Sequence, residues 1–280
     1  LIDISAFAAS LVQSSIIIVP TTLLAMIDVC VGGKTGINFY EYGKNQIGSF
    51  YFPDKVLIFK NWLKTLNKEQ LSSGICEGIK HALLLKNFKL LKTVCKLSFN
   101  DLLDLDKNIL KTLILIKANI VKKDPFEQSC RAILNLGHTL GHALETYAQN
   151  ITNINISHGK AVGIGLIFSV LLSKALNIMN TKTFNNLIKT LQLSYAIPNQ
   201  TEFLKKFPDF YKNYNTFCAH ILNFMKHDKK NYSNKKINFI LLKAQGCIYK
   251  QNNTYKAQVS LKLIKKTLKN LIFYIKKSPL

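Results

Sequence analysis

The sequence predicts an α/β segment followed by a larger, mainly helical domain. A β-branched run at residues 16–19 ends at Pro20, and residues 55–59 are a second extended candidate, so the chain starts with strands. Composition changes after Trp62. From residue 68 to about 146 the apolar residues recur at helical spacing, as in Leu71, Ile75, Ile79 and Leu83, and later Leu110, Leu113, Ile114, Ile116 and Ile120. The expected division is therefore 1–66 for the α/β part and 67–280 for the helical part.

Taken in order, residues 5–13 read as a short helix and 16–19 as a buried strand. Residues 31–48 read as a glycine-bearing loop, and 152–157 as a polar loop rich in Asn. Helical patterns return at 159–178 and 183–193. A hairpin candidate at 237–242, with its turn at Ala244-Gln245-Gly246, precedes a final helix ending near Lys277. The longest apolar run, 161–172, stops before Lys174. It is shorter than the roughly 18–20 residues of a membrane span, so it reads as a buried core helix.

Lys and Arg number 38 against 15 Asp and Glu, a formal charge of +23. The lysines are spread among many Asn, Ile, Phe and Tyr, all with AT-rich codons, so mutational bias explains the charge without a nucleic-acid partner. No RNP motif, paired Cys and His, or basic region leading into heptads supports such a partner. The six cysteines form no CxxC pair and read as reduced thiols of a cytosolic protein. Residues 1–19 carry Asp3 and no basic n-region, which argues against a signal peptide.

The sharpest chemistry lies at 134–145. His138 and His142, spaced i and i+4, share one face of a helix, where they can bind a metal together or divide metal binding and proton transfer. The alternative is two helical histidines hydrogen-bonded locally. Gly137 and Gly141 weaken a helix by about 1 kcal/mol each, which suggests close approach of another backbone or a ligand. His158, at a loop-to-helix junction, is a candidate third ligand. Glu77, amid apolar neighbours, is costly to bury unless metal-bound or paired with Lys80 one turn on. Around Gly32-Gly33-Lys34 the glycine spacing of a P-loop fails, but an anion-binding loop with Lys34 and Lys44 remains plausible.

Pro20-Thr21-Thr22-Leu23-Leu24-Ala25, Asp28 with Gly32-Gly33-Lys34-Thr35-Gly36, and Gly43-Lys44-Asn45-Gln46-Ile47-Gly48 resemble the motifs of the 3-dehydroquinate synthases. So do Glu77-Gly78-Ile79-Lys80, the stretch 131–145, His158-Gly159 and Asp228-Lys229-Lys230, all in the family's order. The resemblance implies an NAD-binding α/β domain followed by a helical metal- and substrate-binding domain. It implies a cyclase of the shikimate pathway, leading to chorismate and the aromatic amino acids. Such a lyase turns 3-deoxy-D-arabino-heptulosonate 7-phosphate into 3-dehydroquinate and phosphate, with NAD+ and a divalent metal (zinc or cobalt). By the same resemblance Glu77, His138 and His158 would hold the metal, His142 would transfer protons, and Glu127 would be a second acid or base. Lys80, Lys117, Arg131, Asn135 and Lys229 would bind substrate, with Asp28, Lys34 and Asn45 closing the site. Thr21, Thr22, Asp28, Lys34, Lys44, Trp62, Leu63, Lys64 and Thr65 would meet NAD+. A cytoplasmic homodimer is implied, with no membrane partner.

The chain also departs from the family. It opens with Leu where a full-length member would have about a hundred further residues, the size of a small domain. An N-terminally truncated chain, complemented by a separately encoded segment, is the corresponding expectation, with no useful turnover by the chain alone. Lys160 replaces an acidic residue of the His158-Gly159 motif. Two rival readings are a non-catalytic remnant that keeps the fold and a related sugar-phosphate cyclase. The joint survival of Glu77, Lys80, Lys117, Arg131, Asn135, His138, His142 and His158 argues against the remnant. The lysines and Arg131 favour the carboxylated substrate.

Overall fold

A computed structural model describes residues 2–39, 43–227 and 235–277, with the backbone alone at 2–4, 37–39, 43–47 and 227. Helix α1 (Ile2–Leu11) leads into strand β1 (Ile17–Ile18), which pairs in parallel with β4 (Lys55–Val56). Each of these strands has only two residues, and Ile17 is exposed, so the buried strand expected at 16–19 and the longer one at 55–59 are both cut short. Between them, the segment expected to be a loop is an antiparallel hairpin, β2 (Lys34–Phe39) and β3 (Gly43–Phe50). Gly36 faces Gly48 across its ladder, and paired glycines leave no side-chain alternation to read.

A 3-10 turn, Lys60–Thr65, then delivers the chain to α2 (Lys68–Leu84). An Asn67–Gln70 capping box fixes where α2 starts, which sets the rotation of Glu77, Lys80 and His81 further along it. Helices α3 (Phe88–Lys96), α4 (Phe99–Leu103) and α5 (Lys107–Lys123) follow, α5 capped by Asp106. A 3-10 turn at Cys130–Asn135 precedes α6 (His138–Tyr147), and a π-helical turn and a short loop lead to α7 (His158–Ala175).

Helix α7 is the axis of the helical part. Residues 159–173 are all buried, because α2, α6, α8 (Thr181–Leu191) and the last helix pack around it. A helix apolar on every side needs such a jacket. Among the described residues no helix is long and apolar enough to cross a membrane. Three helices not anticipated from the sequence come next: α9 (Gln200–Lys206), α10 (Asp209–Lys212) and α11 (Tyr214–His227).

The expected hairpin at 237–242 is divided between two sheets. Strand β5 (Lys236–Phe239) pairs with the distant β8 (Ala257–Ser260), while β6 (Leu242–Ala244) turns through Gln245 and Gly246 to pair with β7 (Cys247–Ile248). Helix α12 (Leu261–Asn270) closes the chain and ends earlier than expected, passing into a 3-10 turn at Leu271–Phe273. All six cysteines are free thiols.

Candidate active site

Helices α2, α6 and α7 bring together Glu77, His138, His142 and His158. Gly137, in the left-handed region at φ 81°, caps α6, and His138 is the first helical residue. The i, i+4 spacing then places His142 on the same face, with ring centroids 5.2 Å apart. His158 opens α7, its ring centroid 5.2 Å from that of His138 and 5.8 Å from that of His142. The nearest ring nitrogens of the three histidines lie within 4.8 Å of one another.

Glu77 is fully buried. Its Oε1 lies 3.7 Å from Nε2 of His138 and 3.7 Å from Nε2 of His158, and accepts no hydrogen bond. Nδ1 of His138 donates to the Leu136 carbonyl at 3.2 Å, and Nδ1 of His158 donates to Glu145 Oε2 at 3.0 Å. With their protons on Nδ1, both rings present Nε2 lone pairs to an orphaned carboxylate oxygen. Outward bonds of this kind are how metal-binding histidines are oriented. The donor set of two imidazoles and one carboxylate fits a divalent metal such as zinc. Burial holds His138 well below the usual imidazole range, helped by the Lys80 charge and the other two rings, so it stays neutral as a ligand must. Burial works in the same direction on His158, but Glu145 and Glu77 outweigh it and raise the group.

A second polar group continues from the first. Lys80 forms an ion pair with Glu77 Oε2 and lies 3.6 Å from Asp28 Oδ1. Lys117, from α5, reaches the same Asp28 oxygen at 2.8 Å and donates to the Asp28 carbonyl at 2.6 Å. His81 Nε2 stands 3.5 Å from it, with Nδ1 donating to the Leu113 carbonyl at 3.1 Å. Burial pushes Asp28 up, but the Lys117 and Lys80 charges hold it well below the ordinary carboxylate range. Burial lowers Lys117 despite Asp28, while for Lys80 the carboxylates Glu77 and Asp28 outweigh burial and raise it. Asp28, Glu77 and His81 also lie close enough to share an ion. Two ammonium groups already fill that space, so the histidine side is the better metal site.

The third group lies on the loop before α6. Glu127, at φ 57°, forms an ion pair with Lys34 and accepts from Asn135 Nδ2 at 2.8 Å. Arg131 is buried and donates to the carbonyls of Gly32, at 2.7 Å, and Pro125. The Gly32-Gly33 turn thus presents a carbonyl to the guanidinium.

Other expected residues are less closely connected. Thr21 is exposed, and Thr22 Oγ1 accepts from the Ala25 N–H at 3.2 Å. Trp62 packs on Phe59 at 5.4 Å, Leu63 is fully buried, Lys64 is exposed, and Thr65 donates to the Trp62 carbonyl at 2.9 Å. Lys44 and Asn45 fall on β3, but their side chains lie outside the described residues, as does Lys229 altogether. His81 and Glu145 were not anticipated. His81 lies one turn beyond Glu77, and Glu145 lies on α6 three residues beyond His142, so a search of the same helix faces would have found both.

The family model described as 3-dehydroquinate synthase C-terminal matches residues 74–231, and that described as 3-dehydroquinate synthase N-terminal matches 1–73. The 3-dehydroquinate synthase of Chlamydia pneumoniae is 32% identical over 250 residues, covering 88% of this chain and 64% of that protein. That of Legionella pneumophila (strain Corby) is 36% identical, covering 88% and 63%. That of Methylacidiphilum infernorum is 44% identical over 207 residues, covering 73% and 55%. The chain therefore spans somewhat less than two thirds of these relatives' length. A solved 2-deoxy-scyllo-inosose synthase, complexed with carbaglucose-6-phosphate, NAD+ and Co2+, superposes with a TM-score of 0.78 at 25% identity, covering 96% of this chain and 70% of that one. With both family models matched in order, the chain belongs to the 3-dehydroquinate synthase family.

Proposed function

We propose that the chain carries the metal- and substrate-binding part of a 3-dehydroquinate synthase. The substrate would be 3-deoxy-D-arabino-heptulosonate 7-phosphate, and the products 3-dehydroquinate and phosphate. The observation that best supports this is the convergence of Glu77 Oε1 with Nε2 of His138 and His158, their Nδ1 protons turned outward. These three residues would hold a divalent metal, zinc or cobalt. Thr21 and Thr22 hydroxyls, the Lys64 ammonium and the Trp62 ring suit the phosphates and rings of NAD+, with Asp28, Lys34, Lys44, Leu63 and Thr65 alongside. When bound, the metal orients and polarises substrate hydroxyls and NAD+ exchanges hydride with the substrate.

The chain's own side chains supply the rest. His142, beside both ligand rings, would take and return a hydroxyl proton, with Glu127 as a second acid or base. Lys80 and Lys117, already side by side around Asp28, would meet the substrate's negative groups. Arg131 would add a guanidinium, and Asn135 and Lys229 would meet hydroxyl or phosphate oxygens. We further read residues 1–66 as part of an NAD-binding domain and 67–280 as the metal and substrate domain of a cytoplasmic homodimer. The higher identity to 3-dehydroquinate synthases, 32–44%, than to the inosose synthase, 25%, favours the carboxylated substrate over that of a related cyclase.

The test is phosphate release from the heptulosonate phosphate, with NAD+ and zinc or cobalt, by protein expressed from its whole coding region. NAD+-dependent release that falls about a hundredfold or more in His142→Ala supports the reading, as general acid–base catalysis contributes that much. No release, or release indifferent to His142→Ala, overturns it.

A further inference from the structure

Resting on the metal-site reading above, we propose that Lys160 and Glu69 are positioning residues that clamp α7 to α2 and so aim His158 at Glu77. The chain is gripped on both sides of His158. Ser157 Oγ donates to Glu69 Oε1 at 2.7 Å, and Lys160 Nζ donates to Glu69 Oε2 at 2.5 Å. Between them the Gly159 N–H donates to Ser73 Oγ at 3.1 Å. The backbones nearly touch there, since a Cβ on Gly159 would lie 1.8 Å from the Ser73 carbonyl oxygen. Residues 157, 159 and 160 are thus all bound to the first turns of α2. Glu77 stands about two turns further along the same helix. The link therefore joins the two helices that carry His158 and Glu77.

Lys160 would otherwise be poorly placed. It sits in the first turn of α7, where outward N–H groups disfavour a cation and favour a carboxylate. Lys160 is 9% exposed, so its ammonium needs a counter-charge. Glu69 supplies it, with Glu202 also 3.9 Å away. One carboxylate on α2 thus neutralises the Lys160 charge and, through its other oxygen, holds the residue before His158.

The test measures cobalt(II) affinity by chelator competition, the visible spectrum of the bound ion, and the melting temperature of the metal-free protein. Lys160→Met and Glu69→Ala should each weaken cobalt binding about 10–100-fold, the range for groups that orient a ligand, and change the spectrum. The metal-free Tm should fall by less than about 4 °C, as for a partly exposed ion pair. Lys160→Arg, which keeps the cation, should restore affinity. Wild-type affinity in Lys160→Met and Glu69→Ala, alongside lost affinity in His158→Ala, overturns the clamp and leaves the metal site standing. Wild-type affinity in both His158→Ala and Glu77→Ala overturns the metal site and the clamp with it. A loss that tracks a larger fall in metal-free Tm and is not rescued by Lys160→Arg marks general loosening, and also overturns the clamp.

Discussion

Gly165 on α7 and Gly137 at the start of α6 meet backbone to backbone: a Cβ on Gly165 would lie 1.9 Å from the Gly137 carbonyl oxygen. That contact sets how deeply the His138 end of α6 sits against α7. No rotamer change can relieve it, because the obstructing atom belongs to the backbone. Gly165→Ala should therefore cost about 3 kcal/mol, the upper range for overpacking, and lower Tm by roughly 6–12 °C. Gly78→Ala is the control, since a Cβ there meets only the tips of Leu113 and Ile75 within 3.2 Å. Thermal unfolding of both variants checks this, and equal Tm values would contradict it.

Glu77 has two partners of different kinds, the Lys80 ammonium and the lone pairs of two imidazoles. Replacing it with Ala leaves Lys80 buried with Asp28 as its remaining carboxylate. Breaking a buried pair in this way costs about 3–5 kcal/mol. A second readout separates pairing from metal binding. Added zinc should raise the Tm of the parent protein in proportion to the logarithm of its concentration, and should leave that of Glu77→Ala unmoved. An equal zinc-induced rise in both would show that Glu77 is no ligand.

How much of this was legible in the sequence depended on whether one helix carried the signal. His138, His142 and their glycines declare themselves by the 3.6-residue period, and the close approach suggested by Gly137 and Gly141 is there, against Val162 and Leu166. Glu77 stood out as a carboxylate in an apolar run. The nest around Asp28 could not be read from spacing, because Lys80, His81 and Lys117 come from two helices and Asp28 from the segment before them; the family resemblance named Asp28, Lys80 and Lys117, but not His81. The strands suffered most. Ile17–Ile18 has a two-residue partner, and strand β5 pairs with β8 some twenty residues away in sequence, so neither ladder could be read locally.

Asp124 organises the loop that presents Glu127 and Arg131. Its carboxylate accepts backbone N–H groups from Gln128, Ser129 and Arg131, each at 2.8 Å. The Arg131 N–H is the main reason the group titrates below its ordinary value. A folded-state value below the unfolded one, about 3.9, gives stability that is present above that pH and lost as pH falls through the folded value. Asp124→Asn should therefore melt at a lower temperature than the parent at pH 7. The gap should close as pH is lowered from about 4 toward the folded value. A gap that stays constant across this range would contradict the assignment.

Arg131 holds a loop and, in the proposed function, an anion, and the two tasks can be separated. A guanidinium has about five N–H donors. Arg131 directs one from each terminal nitrogen to the Gly32 and Pro125 carbonyls, which leaves donors for a substrate oxygen. Removing the side chain in Arg131→Ala should raise KM by about 10- to 150-fold, the equivalent of a hydrogen bond to a charged group, and should also lower Tm. Gly32→Ala offers a displacement without a deletion. Gly32 sits at φ 133°, where side chains are rarely tolerated, and a Cβ there would lie 2.6 Å from the Arg131 guanidinium. The guanidinium must then move while keeping its charge. If Arg131 meets substrate, KM should rise in Gly32→Ala while kcat changes less. If the residue only ties the loop, both variants should lower Tm and leave KM at the parent value, and that result would remove Arg131 from the substrate site.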